Sequence, residues 1–207
     1  MAMPSKSRPS GQKGRTFTET ARRAQIVRYA IETIADIGYA KASFEEIARR
    51  AGISRSLISY HFAGRDELVT EVLTSVYTRA ADYMTAKIAE AKTPPDMLES
   101  FIRGNLAFIG EHRQDMAAVL SIVVHARTQS LTAKPEASAA QPRLDGLTRI
   151  LEWGQQSGCF RPFSSSAMAL AILQAIDGAH QLKGSSDGIN LDSYADELVT
   201  IFNKATR

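Results

Sequence analysis

Between Pro9 and Pro94 the chain runs 84 residues without a proline. Proline breaks helix interiors by removing an N–H and clashing with the preceding turn, so a long proline-free stretch with few glycines favours consecutive helices. No segment sustains the apolar/polar alternation of a strand, and no internal repeat of about 20–50 residues occurs. The expected class is therefore all-α, with about nine helices. At 207 residues the chain can bury a sizeable core without disulfides or metal. Its 44% hydrophobic and 23% charged residues exclude a wholly disordered chain. The longest uninterrupted apolar run, Ala167 to Leu173, falls far short of the roughly 20 residues a membrane span needs. The polar, basic start lacks the apolar stretch of a secretory signal. A single cysteine, Cys159, can form neither an internal bridge nor a zinc site and fits a reducing compartment. These features lead us to expect a cytoplasmic protein with no membrane contact.

Charge divides along the chain. Residues 1–65 hold twelve Lys/Arg against five Asp/Glu, and residues 66–207 hold thirteen against seventeen. A basic head on an acidic body fits a polyanion partner or a plain solubilising tail. Residues 1–18 are expected to be a disordered basic tail. A first helix is expected from Glu19 to Ile37, because Ile26, Ala30 and Ile34 recur every fourth residue with Val27 and Ile31 beside them. Gly38 is placed to end it. Ser43-Phe44-Glu45-Glu46 has capping-box form, with Glu46 expected to reach back to the Ser43 backbone. Ser54 can cap a second short helix, Arg55 to His61, and Asp66 and Glu67 open a long one reaching about Ala91. Beyond Pro94–Pro95 we expect one helix through Leu98 and Ile109 and a buried segment from Met116 to Val124. Residues 128–142, with two prolines, read as a flexible connection. Helices at about 143–158 and 164–183 and a last one through Tyr194 and Phe202 complete the body. The expected division is a tail (1–18), a helix-turn-helix head (19–65) and a body (66–207).

The spacing around Gly52 carries the functional reading. A helix-turn-helix needs a small residue where its helices cross, a turn residue that tolerates positive φ, and an apolar residue that locks the second helix. Ala48, Gly52 and Ile58 supply these, with Ile47, Ala51 and Ile53 as apolar neighbours. On the second helix Leu57, Ile58 and Phe62 point inward. Arg55 with Ser59 and Ser56 with Tyr60 are i, i+4 pairs on the opposite face. That face offers a guanidinium, hydroxyls and an aromatic, with no carboxylate to repel phosphate. Arginine suits guanine O6 and N7 in the major groove, and the hydroxyls can serve bases or phosphates. Lys41, Ser43, Ser54, His61 and Arg65 flank the unit as candidate phosphate contacts. The competing reading of the face is a merely solvated polar surface.

The run from Arg22 to Leu73 resembles the DNA-binding domain of the tetracycline-repressor (TetR) family of bacterial regulators. Ile37-Gly38-Tyr39, Ser43, Ile47-Ala48, Ala51-Gly52-Ile53-Ser54, His61-Phe62 and Asp66-Glu67-Leu68 carry the resemblance, which covers about residues 19–73. Ser59 stands where members commonly have tyrosine, Arg65 where they have lysine and Leu57 where they often have threonine, so operator preference does not carry over. The resemblance implies a homodimer joined through about 143–158 and 164–183. Its two heads would read a near-palindromic double-stranded DNA operator, and a small-molecule effector in the body would release it. The long helix from Asp66 would be the lever.

For the effector pocket the sequence nominates Phe101, Asn105, Phe108, His112, Met116, Leu120, His125, Trp153, Gln174 and Asp177, which mix apolar bulk with sparse polar groups. Ordinary core packing competes for each apolar member. Asp177 and His180 form an i, i+3 pair but lack a third metal ligand at usable spacing. No nucleophile elbow, Walker loop or dinucleotide fingerprint occurs. We expect no catalytic residue, no metal and no cofactor. Cys159 reads as a plain thiol or a redox sensor. The expected function is a ligand-released transcriptional repressor. The two rivals are a hydrolase with a fused helix-turn-helix head and a non-specific architectural DNA-binding protein.

Overall fold

A computed structural model describes the backbone of residues 12–128, 135–179 and 190–207, and their side chains except those of 12–16, 127, 128 and 135–140. The described residues are almost entirely helical: α1 (Gln12–Ile37), a single 3-10 turn (Tyr39–Lys41), α2 (Phe44–Ala51), α3 (Arg55–His61), α4 (Arg65–Ile88), α5 (Pro94–Glu111), α6 (Arg113–Thr128), α7 (Pro135–Gln156), α8 (Ser165–Gly178) and α9 (Leu191–Thr206). Short polar residues start many of them. Ser43, Ser54, Thr93 and Ser164 each accept the backbone N–H three residues on, meeting donors that the helix itself leaves unpaired. The twin prolines Pro94 and Pro95 occupy the first positions of α5, where a missing N–H costs nothing.

Two cores share the long helix α4. In the first, Ile26, Ile34, Ile47, Ile58 and Phe62 of the head pack with Leu68, Val72 and Val76 of α4 and with Val119 and Ile122 of α6. In the second, Met84 of α4 joins Leu98 and Ile102 of α5, Leu147 and Leu151 of α7, Ile172 and Ile176 of α8 and Phe202 of α9. At 24 residues, α4 is about 36 Å long, and it contributes side chains to both cores. Tyr83 and Met116 touch both cores.

Several expectations need correction. α1 begins at Gln12, so residues 12–18, assigned to a disordered tail, are helical, and residues 1–11 lie outside the described residues. Residues 135–142, expected in a flexible connection, are the first turns of α7, with Pro142 inside the helix. The run Glu136-Ala-Ser-Ala-Ala contains three alanines, the strongest helix formers, which favour a helix ahead of Pro142. α4 ends at Ile88, three residues short of the expected Ala91. α8 ends at Gly178, and the part of the expected 164–183 helix from His180 onward lies outside the described residues, as does the His180 half of the Asp177 pair.

Candidate nucleic-acid interface and ligand chamber

Backbone chemistry assembles the head. Gly52 holds φ 64°, ψ 32°, the left-handed conformation in which side chains with a Cβ are disfavoured, and so turns α2 into α3. Ile58 is fully buried and Ala48 nearly so, which brings the two short helices together at their crossing. Only half of the expected capping box forms. Ser43 Oγ accepts from the Glu46 N–H at 3.2 Å, but the Glu46 carboxylate turns to Arg49, and the Ser43 N–H donates to the Lys41 carbonyl instead. The Arg49 hydrogen bond is the first cause holding the Glu46 carboxyl below its usual range.

Two arginines fasten the head. The Arg23 guanidinium lies 4.2 Å over the Phe62 ring, donates to the His61 carbonyl, and pairs with Glu67 at 3.1 Å. Arg50 donates to the Glu32 carbonyl at 3.0 Å and to Asp36, tying α2 to α1. Glu67 also accepts the Ala63 N–H at 2.7 Å, and that bond is the first cause holding its carboxyl below the usual range.

Arg55, Ser56, Ser59 and Tyr60 are all exposed, together on one side of α3, and Tyr60 is 73% exposed. Ser54 is exposed beside them, its Oγ 2.9 Å from that of Ser56. Lys41 and Ser43 are exposed at the start of α2. His61 is half-buried, its ring edge-on to Tyr60 at 5.1 Å. The helix carries no carboxylate. Arg65 sits differently from the free flanking charge expected of it. Its guanidinium stacks 3.9 Å over the Tyr39 ring and donates to the Tyr39 carbonyl, and its buried Nε has no hydrogen-bond partner among the described residues. No local pattern marks this tether, because an arginine at a helix start reads equally well as a solvated charge.

Tyr39 also joins the head to the body. Its N–H donates to Ser121 Oγ at 2.8 Å, and its ring meets His125 edge-on at 4.7 Å. A cavity of about 450 Å³ lies at this joint, lined by Leu120 and His125 among others.

The larger cavity, about 1030 Å³, opens between α4, α5 and α7. Of the nominated pocket residues it takes in Phe101 and Asn105 only. Phe108 is buried and stacked on His112 at 4.2 Å, Met116 is packed between the cores, and Trp153 and Gln174 are exposed. Asp177 stands behind the lining, its Oδ1 accepting from Arg143 Nη1 at 2.8 Å. Sequence reasoning missed the α4 face that forms one wall: Thr70, Thr74, Thr78 and Thr85 with Tyr77 and Met84. It also missed Met97, Arg143, Gly146 and Ile150. The fourfold spacing of Thr70, Thr74 and Thr78 was the available signal, on the side of α4 away from Val72 and Val76.

Among the described residues no group of three or more His, Cys, Asp or Glu is placed to hold a metal ion, and no helix is long and apolar enough to cross a membrane. Cys159 is exposed and free.

Comparison with known proteins agrees with this geometry. Residues 26–72 match the model of the bacterial regulatory proteins of the tetR family. A transcriptional regulator of Chromohalobacter salexigens, BetI 1, is 33% identical over 85 residues, which is 41% of this chain and 42% of that protein. The chain thus matches less than half the length of that relative. A Rhodococcus sp. structure assigned to the TetR-family regulators superposes with a TM-score of 0.79 at 19% identity, covering 90% of this chain and 98% of that one. AibR, solved with isovaleryl coenzyme A and operator DNA, superposes with a TM-score of 0.72 at 18% identity, covering 87% of this chain and 97% of that one. Residues 26–72 thus match the tetR family of bacterial regulatory proteins, and the chain as a whole has the fold of the solved regulators it superposes on.

Proposed function

We propose that the protein is a DNA-binding transcriptional repressor that works as a homodimer and releases its operator when a small molecule occupies the chamber beside α4. The observation that carries this reading is the exposed, carboxylate-free face of α3, with Arg55, Ser56, Ser59 and Tyr60 on one side of a helix whose other side is locked into the head. Arg55 is the base-reading residue, and Ser54, Ser56, Ser59 and Tyr60 share bases and phosphates. Lys41, Ser43 and His61 supply further backbone contacts. Arg65 acts through Tyr39, which sets the position of the 3-10 turn, and joins the phosphate contacts only if it leaves that ring. Two heads of a dimer read half-sites about 34–36 Å apart.

Dimerisation runs through α7 and α8, which cover most of 143–158 and 164–183. Trp153 is 40% exposed on α7 and Leu170 53% exposed on α8, the large apolar side chains a helical interface would cover. AibR, bound to operator DNA and isovaleryl coenzyme A, supports the pairing of operator and effector on this fold. An effector that favours the released state about 100-fold supplies about 2.7 kcal/mol of shift through α4.

Selection of duplexes from a random pool by the purified protein tests the reading. A near-palindrome with half-sites one helical turn apart, bound at least a thousandfold more tightly than bulk duplex, is expected. Equal retention of all sequences would favour a non-specific architectural role and overturn the repressor.

A further inference from the structure

The described lining of the chamber beside α4 carries one formal charge. Among its described lining residues Arg143 is the only one that carries a charge at neutral pH, and none is a carboxylate. The Arg143 side chain is 20% exposed, and the direction of its guanidinium is fixed from behind. Nε donates to Asn105 Oδ1 at 3.0 Å and Nη1 donates to Asp177 Oδ1 at 2.8 Å. Asn105 is itself buried and anchored, its Nδ2 donating to the Phe101 carbonyl at 2.7 Å. Two of the five guanidinium N–H groups are thus spent on the holders, and the rest of the fork is available to a ligand. The other walls are methyl, methylene and aromatic surface from Ala81, Met84, Ile88, Met97, Phe101 and Ile150, broken by threonine hydroxyls. Along α4 the lining runs from Thr70 to Ala89, about 28 Å of helix.

We infer that this chamber binds an amphipathic anion: an elongated apolar body along α4 with a carboxylate or phosphate head on Arg143. The inference deepens the effector reading above and rests on it for its regulatory meaning, but not for the binding itself. A planar guanidinium held by two partners offers parallel N–H donors to an anionic oxygen pair, and such charge-assisted bonds are about twice as strong as neutral ones. A cationic ligand would meet the guanidinium with no carboxylate in the described lining to offset it. A neutral apolar ligand would leave the free N–H groups unpaired. Asp177 is 43% exposed and lies outside the lining, so it orients Arg143 rather than answering a cation in the chamber.

Titration calorimetry of the full chain with decanoate and decyltrimethylammonium below their micelle concentrations, and with decanol below its solubility limit, tests the class. Saturable decanoate binding, at least tenfold tighter than either of the others, is expected. Because this comparison uses the unaltered protein, it stands even if a variant misfolds. Arg143→Gln should weaken decanoate at least tenfold and leave decanol unchanged, and Arg143→Lys should recover part of the loss. Decyl phosphate in place of decanoate distinguishes the two head groups, and tighter binding of either one supports the inference. Equal affinity for all three ten-carbon probes, binding of none, or a folded Arg143→Gln protein that takes decanoate undiminished would overturn it. Decanoate binding that leaves the affinity for the selected duplex unchanged would support the ligand class and overturn the effector reading instead.

Discussion

Replacing Tyr39 by alanine should loosen the joint between head and body, and the structure sets the size of the effect. The substitution removes the Arg65 guanidinium from a ring 3.9 Å away, worth about 1 kcal/mol for a partly exposed cation–π contact. It also removes the edge-on pair with His125 at 4.7 Å, worth about 1 kcal/mol. Losing the half-buried ring itself costs roughly another 1 kcal/mol of apolar burial. The backbone bonds from Tyr39 N–H to Ser121 Oγ and from Arg65 to the Tyr39 carbonyl do not depend on the side chain and should persist. The expected destabilisation is therefore about 3 kcal/mol. Urea unfolding of Tyr39→Ala, His125→Ala and the double variant isolates the aromatic term, and the two changes should couple by about 1 kcal/mol. Additivity of the two, or a Tyr39→Ala protein as stable as the parent, would refute the claim that this ring bonds the head to the body.

Gly52→Ala should cost about 1–2 kcal/mol in denaturant unfolding, since φ is 64° and a Cβ would meet nothing within 4 Å, leaving left-handed backbone strain as the whole penalty. A stabilised variant would contradict the turn geometry. Glu67 carries a pH prediction. Its carboxyl is held below the usual range, first by the Ala63 N–H and then by Arg23, so its contribution is complete above the ordinary carboxylate pKa of about 4.3. That contribution is lost as pH falls through the lowered folded value. Acid unfolding of Glu67→Gln should accordingly show a shallower pH dependence than the parent below about pH 4.3, and identical acid limbs would count against it.

The head was legible because its signals are local. Ser43 and Ser54 mark helix starts, Gly52 marks a left-handed turn, and Ala48 and Ile58 mark a crossing, each readable within a few residues. The same locality hid what depends on distant partners. Glu46 has the spacing of a capping box, but Arg49 one turn on attracts its carboxylate more strongly than the Ser43 N–H does. Arg65 reads as a surface charge until Tyr39, 26 residues earlier, is folded beneath it. The chamber was nearly invisible. Its α4 wall is a row of threonines that resembles a solvated face, and its cation, Arg143, directly follows the stretch 128–142 whose two prolines argue for a linker. The aromatic residues chosen instead, Phe108 and His112, fill the space between the cores by stacking on each other. Apolar residues interrupted by polar ones describe a tight core and a ligand cavity equally well, and only the spacing of the helices separates the two.

Arg55→Ala with Tyr60→Ala puts the central claim to its most direct test. Both side chains are exposed and neither belongs to a core, so the thermal midpoint should stay near that of the parent. Affinity for the selected palindrome, measured by fluorescence anisotropy at fixed salt, should fall at least about 30-fold if each residue contributes about 1–3 kcal/mol of base or phosphate contact. A folded double variant that holds the duplex as tightly as the parent would contradict the assignment of α3 as the DNA-reading helix.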